Sequence, residues 1–164
     1  MIASSAFPSV APTPLLLVVE DSNEDFEALK RLLHRSSVTV AIQRCVSGEQ
    51  ALAFLEGTGS DGDGVAPNKS PGRPGLILLD LNLPGIDGRQ VLRRIKQDAN
   101  LKSIAVVVFT TSNNPKDIEE CYQYGANSYI VKPIDFDRLK RDIQTLVNYW
   151  FQVTALPEYP QEGP

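Results

Sequence analysis

Short apolar runs alternate with amphipathic stretches along most of the chain. The run "PLLLVVED" at 14–21 is almost continuously apolar until it ends on two acids, which is typical of a strand buried on both faces of a parallel sheet. Similar apolar or alternating runs predict four more strands, at 38–46, 76–80, 104–112 and 128–133. Strands separated in this way by helical patterns indicate a parallel sheet rather than a series of hairpins.

A residue that can cap a helix follows four of the five predicted strands, and apolar residues at helical spacing come after each of them. These capping residues are Ser22, Ser47, Asn114 and Asp135. The remaining helix, "RQVLRRIKQ", follows the Pro84-Gly85 turn. The pattern predicts an α/β fold, a flavodoxin-like, doubly wound sheet of five parallel strands in the order 2-1-3-4-5 with five helices.

Three segments fall outside this pattern. Residues 1–14 are rich in Ala, Ser and Pro and carry no Lys or Arg, so they predict a flexible segment rather than a signal peptide. Residues 57–75 contain six glycines and three prolines, which predicts a long mobile loop. A linker between two domains is the weaker alternative, because neither side has enough strands to bury a sheet. We expect one domain over 15–153, followed by a tail at 154–164.

Composition and charge narrow the classes of function. The chain of 164 residues has a formal net charge of -4, which argues against a nucleic-acid partner. No run approaches the roughly 18 apolar residues that a membrane span needs, so we expect no membrane contact and a cytoplasmic location. Cys45 and Cys121 lack metal-ligand spacing and predict neither a zinc site nor a disulfide framework. The single histidine, His34, is assigned no role.

Polar side chains stand at the carboxyl ends of four predicted strands. They are Glu20, Asp21, Asp80, Thr110 and Lys132. Because these ends meet at one edge of a parallel sheet, we expect three carboxylates to share a crevice, in which either their pKa values rise or a cation offsets their repulsion. Mg²⁺ fits this role, since it combines one or two carboxylates with water and phosphate oxygens. The ammonium and the hydroxyl would stabilise a phosphoryl group, and Asp80 is the best-placed nucleophile to form an aspartyl phosphate.

The motifs "VVED", "LLDLNLPGIDG", "FTTS" and "YIVKP" together resemble the receiver domains of two-component response regulators. The resemblance implies that a sensor histidine kinase or a phosphotransfer protein phosphorylates Asp80. It implies no enzymatic activity beyond the chain's own phosphorylation and dephosphorylation. It also implies that Mg²⁺ is held by Glu20, Asp21, Asp80 and the backbone carbonyl of Asn82.

The same resemblance implies that Thr110 and Tyr129 form a coupled switch pair and that the Lys132-Pro133 bond is cis. Thr111 is the rival for the hydroxyl role, but Thr110 is the first polar residue after the apolar run and stands 22 residues before the lysine, as in the family. An ordinary core role for the tyrosine stays open. The first acid is a glutamate where many receivers have aspartate, and its longer side chain is expected to reach the metal through water.

The segment "LVNYWFQVTALP" at 146–157 is similar to the C-terminal segment of the small response regulators of cyanobacterial and bacterial phytochromes. This implies a phytochrome as the kinase and a homodimer through the face of helix 4, strand 5 and helix 5 together with the tail. The candidate interface residues are Tyr149, Trp150, Phe151 and Val153, because consecutive helical positions cannot all face one core. As no output domain follows the last helix, we expect a single-domain regulator that signals by changing partners.

Two other functions stay open from the residues. An aspartate-nucleophile phosphatase uses the same acid, hydroxyl and lysine, but it carries a DxD motif on its first strand. Here the first strand ends on adjacent Glu20 and Asp21, and the candidate nucleophile follows the third strand. A receiver-like interaction module that is never phosphorylated would not need the acceptor groups, yet all of them are present. Both are weaker hypotheses than the phosphorelay.

Overall fold

A parallel sheet of five strands lies at the centre of the computed structural model, which describes residues 12–57 and 72–157. The strands are β1 Leu15–Val19, β2 Ala41–Cys45, β3 Leu76–Leu79, β4 Ala105–Thr110 and β5 Ser128–Val131. Their order across the sheet is β2-β1-β3-β4-β5, and every neighbouring pair is parallel. The predicted fold class and strand order are confirmed. Most of the predicted 57–75 loop, together with residues 1–11 and 158–164, lies outside the described residues.

One helix follows each strand. The helices are α1 Asn23–His34, α2 Gly48–Leu55, α3 Gly88–Gln97, α4 Pro115–Gln123 and α5 Phe136–Asn148, and a π-helical turn at Tyr149–Val153 extends the last one. The four predicted capping side chains accept backbone N–H groups of the first helical turn, as Ser22 does from Asp25 at 3.2 Å. None of the described helices has the length and apolar character that crossing a membrane requires.

Two apolar clusters cover the two faces of the sheet. One contains inward residues of α2, α3 and α4, and the other contains residues of α1 and α5. Successive strand residues point to opposite faces, so Leu17 and Val19 join the first cluster while Leu16 and Val18 join the second. With both faces covered, the carboxyl ends of the strands form the edge at which polar side chains can meet.

The chain after α5 folds back on its own domain. Trp150 and Phe151 pack against the cluster of α1 and α5, whereas Tyr149 and Val153 are 49% and 67% exposed. Leu156 lies so close to the start of β3 that a Cβ on Gly75 would stand 2.9 Å from its Cδ1 atom. Two of the four predicted interface residues therefore cover their own core, and the other two are open to a partner.

The predicted cis bond between Lys132 and Pro133 is wrong for this structure, since none of the described peptide bonds is cis. The trans form is the usual one even before proline. The Lys132 N–H donates to the Thr110 carbonyl at 2.7 Å, so the chain stays extended one residue past β5. With this backbone the lysine side chain still reaches the strand-end acids.

Candidate functional site

Three carboxylates meet at the carboxyl ends of β1 and β3. Val19 and Leu79 are partners in the parallel ladder, so the next residues, Glu20 and Asp80, lie side by side. Both are buried, at 4% and 7% exposure, while Asp21 is exposed. One oxygen from each of the three carboxylates lies within 4.8 Å of the others, as the sequence predicted. Hard oxygen ligands at this spacing fit Mg²⁺.

Lys132 reaches into this group from the end of β5. Its ammonium donates to Glu20 Oε2 at 2.6 Å, to Asp25 Oδ2 at 2.9 Å and to Asp80 Oδ2 at 3.1 Å. An ammonium has three N–H donors, so all of them are in use. The other oxygen of Asp80, Oδ1, accepts a longer bond of 3.4 Å from the Asn82 N–H.

Burial and pairing act in opposite directions on these groups. Burial raises the pKa of Glu20, and the hydrogen bond and charge of Lys132 oppose that rise without cancelling it. Burial alone would lower the pKa of Lys132, but the hydrogen bond to Glu20 and the charge of Asp80 raise it well above its usual value. The lysine is therefore a permanent cation at physiological pH, and the acids around it still carry excess negative charge.

Asp25 is a member of the site that the sequence reasoning missed. It stands in the first turn of α1, where an acid offsets the helix dipole, and this position gives no local sign of a role in the site. Because α1 begins at the mouth of the crevice, its first turn also presents this side chain to Lys132. Its carboxylate is 45% exposed, against 5% for Glu20, so it is the least buried of the lysine's partners.

Two further residues hold the loops that carry the acids, and neither was singled out from the sequence. Arg44 on β2 stacks on the Phe26 ring and donates to the backbone carbonyls of Glu20 and Asp21 at 3.1 and 3.3 Å. Glu49, near the start of α2, accepts from the Ile86 N–H at 2.9 Å in the loop after β3. Hydrogen bonds from backbone N–H groups lower the pKa of Glu49 and keep it ionised.

The two predicted switch residues both contact the backbone of Ser112. Thr110 is fully buried and its hydroxyl oxygen accepts from the Ser112 N–H at 3.4 Å, whereas Thr111 is exposed. Tyr129 is partly buried against the cluster of α2, α3 and α4, and its hydroxyl donates to the Ser112 carbonyl at 2.9 Å. The tyrosine thus faces inward, and its partner lies in the loop that Thr110 begins.

Buried acids at a strand-end crevice, a lysine from the edge strand and a buried threonine on a five-stranded parallel sheet define a receiver domain. The response regulator receiver domain family matches residues 16–144, and the chain belongs to this family. Within the family it is similar to regulators associated with phytochromes. It is 38% identical over 146 residues to the response regulator Rcp1 of Synechocystis sp., covering 89% of this chain and 95% of that protein.

Solved structures show the same likeness. The phosphorylated cyanobacterial phytochrome response regulator RcpA superposes with a TM-score of 0.79 at 35% identity, over 90% of this chain and 100% of that one. The Mn²⁺-bound form of Rcp1 gives a TM-score of 0.78 at 36% identity, over 88% of this chain and 99% of that one. The likeness therefore extends over nearly the whole length of both relatives.

Proposed function

We propose that the chain is a phytochrome-type response regulator that accepts a phosphoryl group from a histidine kinase on Asp80. The observation that carries this proposal is the position of the Asp80 carboxylate, which shares one crevice with two further acids and the Lys132 ammonium. A lone buried carboxylate would be protonated or paired, but this one is kept beside a cation and a set of metal-binding oxygens. That combination suits a nucleophile that receives a highly charged group.

In the proposed transfer, an oxygen of Asp80 forms a bond to phosphorus while the phosphorus–nitrogen bond of a phosphohistidine breaks. The electron pair of that bond goes to the imidazole nitrogen of the kinase, and the product on this chain is an acyl phosphate. Oδ1 is the better placed oxygen, because Lys132 holds Oδ2 at 3.1 Å while Oδ1 accepts only the longer backbone bond described above. The geometry leaves the attacking atom weakly bound and its neighbour anchored.

Glu20, Asp21 and Asp80, with the Asn82 carbonyl, are the groups that would hold Mg²⁺. When bound, the ion supplies positive charge, which offsets the negative charge of the acids and of one phosphoryl oxygen. Lys132 would carry its ammonium from Asp80 to a second phosphoryl oxygen, and retaining Glu20 as a partner would keep it in the crevice. The Thr110 hydroxyl, buried at the end of β4, would donate to a third.

The phosphoryl signal would pass through Ser112. If Thr110 moves its hydroxyl toward the phosphoryl group, the space that it vacates favours the inward position of Tyr129, in which the tyrosine hydroxyl donates to the Ser112 carbonyl. Phosphorylation would thereby shift the population between two packings of the β4–α4 loop rather than change the fold. Thr110 and Tyr129 would act as a coupled pair in this sense.

The relatives support a phytochrome as the sensor histidine kinase partner, since Rcp1 and RcpA are regulators of that class. A cytoplasmic location is part of the same proposal. Exposed aromatic and apolar side chains on the face of α4, β5 and α5 support a homodimer. Tyr122 and Tyr149 are each 49% exposed, and Val153 is 67% exposed. A groove of about 490 Å³ between β5 and α5, bordered by Tyr149 and Trp150, lies on the same face.

The test is incorporation of acid-stable but base-labile phosphate from acetyl phosphate in the presence of Mg²⁺. We expect Asp80→Asn to incorporate none, and Asp21→Asn to need far more Mg²⁺ for the same yield. Asp98→Asn, which changes an acid at the far end of α3, serves as the matched control and should behave as the unchanged chain. Phosphate on the Asp80→Asn variant, or none on the unchanged chain with either acetyl phosphate or a phosphorylated kinase, would refute the proposal.

A further inference from the structure

A chain of polar contacts joins α3 to β5 outside the acidic crevice. Arg89, in the first turn of α3, pairs with Asp117 of α4 at 2.7 Å. The other oxygen of Asp117 accepts from the Ser112 hydroxyl at 2.6 Å, and the Ser112 carbonyl accepts from Tyr129. The contacts thus connect Arg89, Asp117, Ser112 and Tyr129 in series. The receiver chemistry described above does not use the first two of these residues.

Ser112 is the central member of the series because all three of its polar groups are engaged. Its N–H donates to Thr110, its carbonyl accepts from Tyr129, and its hydroxyl donates to Asp117. A residue held at three points has little freedom to rotate. Whatever fixes the side chain of Ser112 therefore also fixes the carbonyl that holds the tyrosine hydroxyl.

Arg89 is built to fix that side chain. Its guanidinium binds both oxygens of Asp87, the residue that caps α3, at 3.0 and 2.9 Å. It also lies 3.6 Å from Glu120, one turn beyond Asp117 on α4. A planar guanidinium with several partners loses little freedom per contact, so it holds α3 and α4 in one register. The hydrogen bonds from Ser112 and Arg89 lower the pKa of Asp117, which keeps it charged.

We propose that Arg89 is a positioning residue for the switch: through Asp117 it fixes Ser112, and Ser112 holds Tyr129 inward before any phosphoryl group is present. The inference rests on the proposed function only in treating Tyr129 as a switch residue. It adds that the resting position of the tyrosine is set from α3 and α4, not from the acidic crevice alone. Phosphorylation would then stabilise a position of the tyrosine that this link already favours.

The experiment measures the position of Tyr129 in the unphosphorylated full chain. The five tyrosines of the chain are labelled as 3-fluorotyrosine, and the ¹⁹F resonance of Tyr129 is assigned with Tyr129→Phe. We expect Arg89→Gln to raise the population with an exposed Tyr129 about tenfold, as for the loss of a charge-assisted hydrogen bond. Arg94→Gln, a change to an exposed arginine on the same helix, is the matched control and should leave the spectrum unchanged.

Two further variants separate positioning from general damage. Ser112→Ala removes only the hydroxyl that contacts Asp117, and it should shift the Tyr129 resonance as Arg89→Gln does, with no added shift in the double variant. Arg89→Lys, which keeps a cation beside Asp117, should retain much of the original spectrum. If Arg89→Gln does not fold, Ser112→Ala still tests the link.

An unchanged Tyr129 resonance in folded Arg89→Gln and Ser112→Ala would overturn the inference. The same measurement in the Asp80→Asn background gives the same result if the link is independent of phosphorylation. A chain that takes up no phosphate while Arg89→Gln still releases Tyr129 would refute the proposed function alone. Normal phosphate uptake with an immobile Tyr129 in both variants would refute the Arg89 inference alone.

Discussion

Replacing Lys132 by methionine tests whether the strand-end acids are held by charge. The substitution keeps the apolar stem and removes the ammonium that contacts Glu20, Asp25 and Asp80 at 2.6 to 3.1 Å. Breaking a buried pair leaves uncompensated charge and costs roughly 3–5 kcal/mol. Because Asp25 is 45% exposed and regains water easily, we expect a loss of about 3 kcal/mol in the free energy of unfolding without metal.

The dependence on Mg²⁺ and pH distinguishes this cause from poor packing. Mg²⁺ should recover most of the loss and should bind about tenfold more tightly to Lys132→Met, because the site has become one charge more negative. Burial raises the pKa of Glu20 in the folded chain, so its charged form costs stability as pH rises through and above its usual pKa. The loss caused by Lys132→Met should therefore shrink as the pH is lowered toward that value.

The assay is urea unfolding followed by the fluorescence of Trp150, the only tryptophan, in EDTA and in excess Mg²⁺. Lys140→Met on α5 is the matched control, since this lysine is exposed and lies away from the crevice. The reasoning fails if Lys132→Met unfolds at the same urea concentration as the unchanged chain in EDTA. It also fails if Mg²⁺ stabilises both chains equally.

Three further results are expected. Burial raises the pKa of Cys45 and Cys121 to about 11, so a thiol reagent at pH 8 should modify them only after unfolding. Rapid labelling of the folded chain at pH 8 would contradict this. The free energy of unfolding should also fall as the pH rises above about 9, because the thiols of the unfolded chain ionise before those of the folded chain. Gly88→Ala should lower the free energy of unfolding in urea by about 1–3 kcal/mol and should lower phosphate uptake. The reason is that the new Cβ would meet the backbone at Asp80 and would stand 2.6 Å from the Cα atom of Leu81. An unchanged urea midpoint would contradict this prediction. Tyr149→Ser combined with Val153→Ser, which changes only exposed residues of the segment, should weaken self-association in sedimentation, and unaltered association would remove the case for a dimer through that segment.

The fold was predictable because each of its parts leaves a local signal. A buried strand such as β3 reads as a continuous apolar run, and capping residues such as Ser22 mark where a helix begins. The predicted β2 and β4 extend past the observed strands at both ends, because β-branched residues such as Val40 and Thr111 continue beyond the ladder partners. The strand-end acids followed from topology, which brings the residues after β1 and β3 to one edge.

The remainder of the site depends on how side chains reach across elements. Asp25 is an acid in the first turn of α1, and only the three-dimensional structure shows it beside Lys132. Arg44 and Glu49 bind backbone groups that are far away in sequence, and no local sequence pattern distinguishes them from other charged residues. The peptide isomer before Pro133 was predicted from resemblance alone and was wrong, because the residues themselves do not determine it.

The strand order gives the phosphoryl acceptor and two of the responding side chains different degrees of backbone support. Asp80 follows β3, which is hydrogen-bonded along both sides, to β1 and to β4. Tyr129 and Lys132 belong to β5 and its end, and this strand is paired on one side only. Displacing β5 would break about half as many ladder hydrogen bonds as displacing β3. The acceptor thus follows a strand that neighbours hold on both sides, whereas Tyr129 and Lys132 move with an edge strand that is held on one side only.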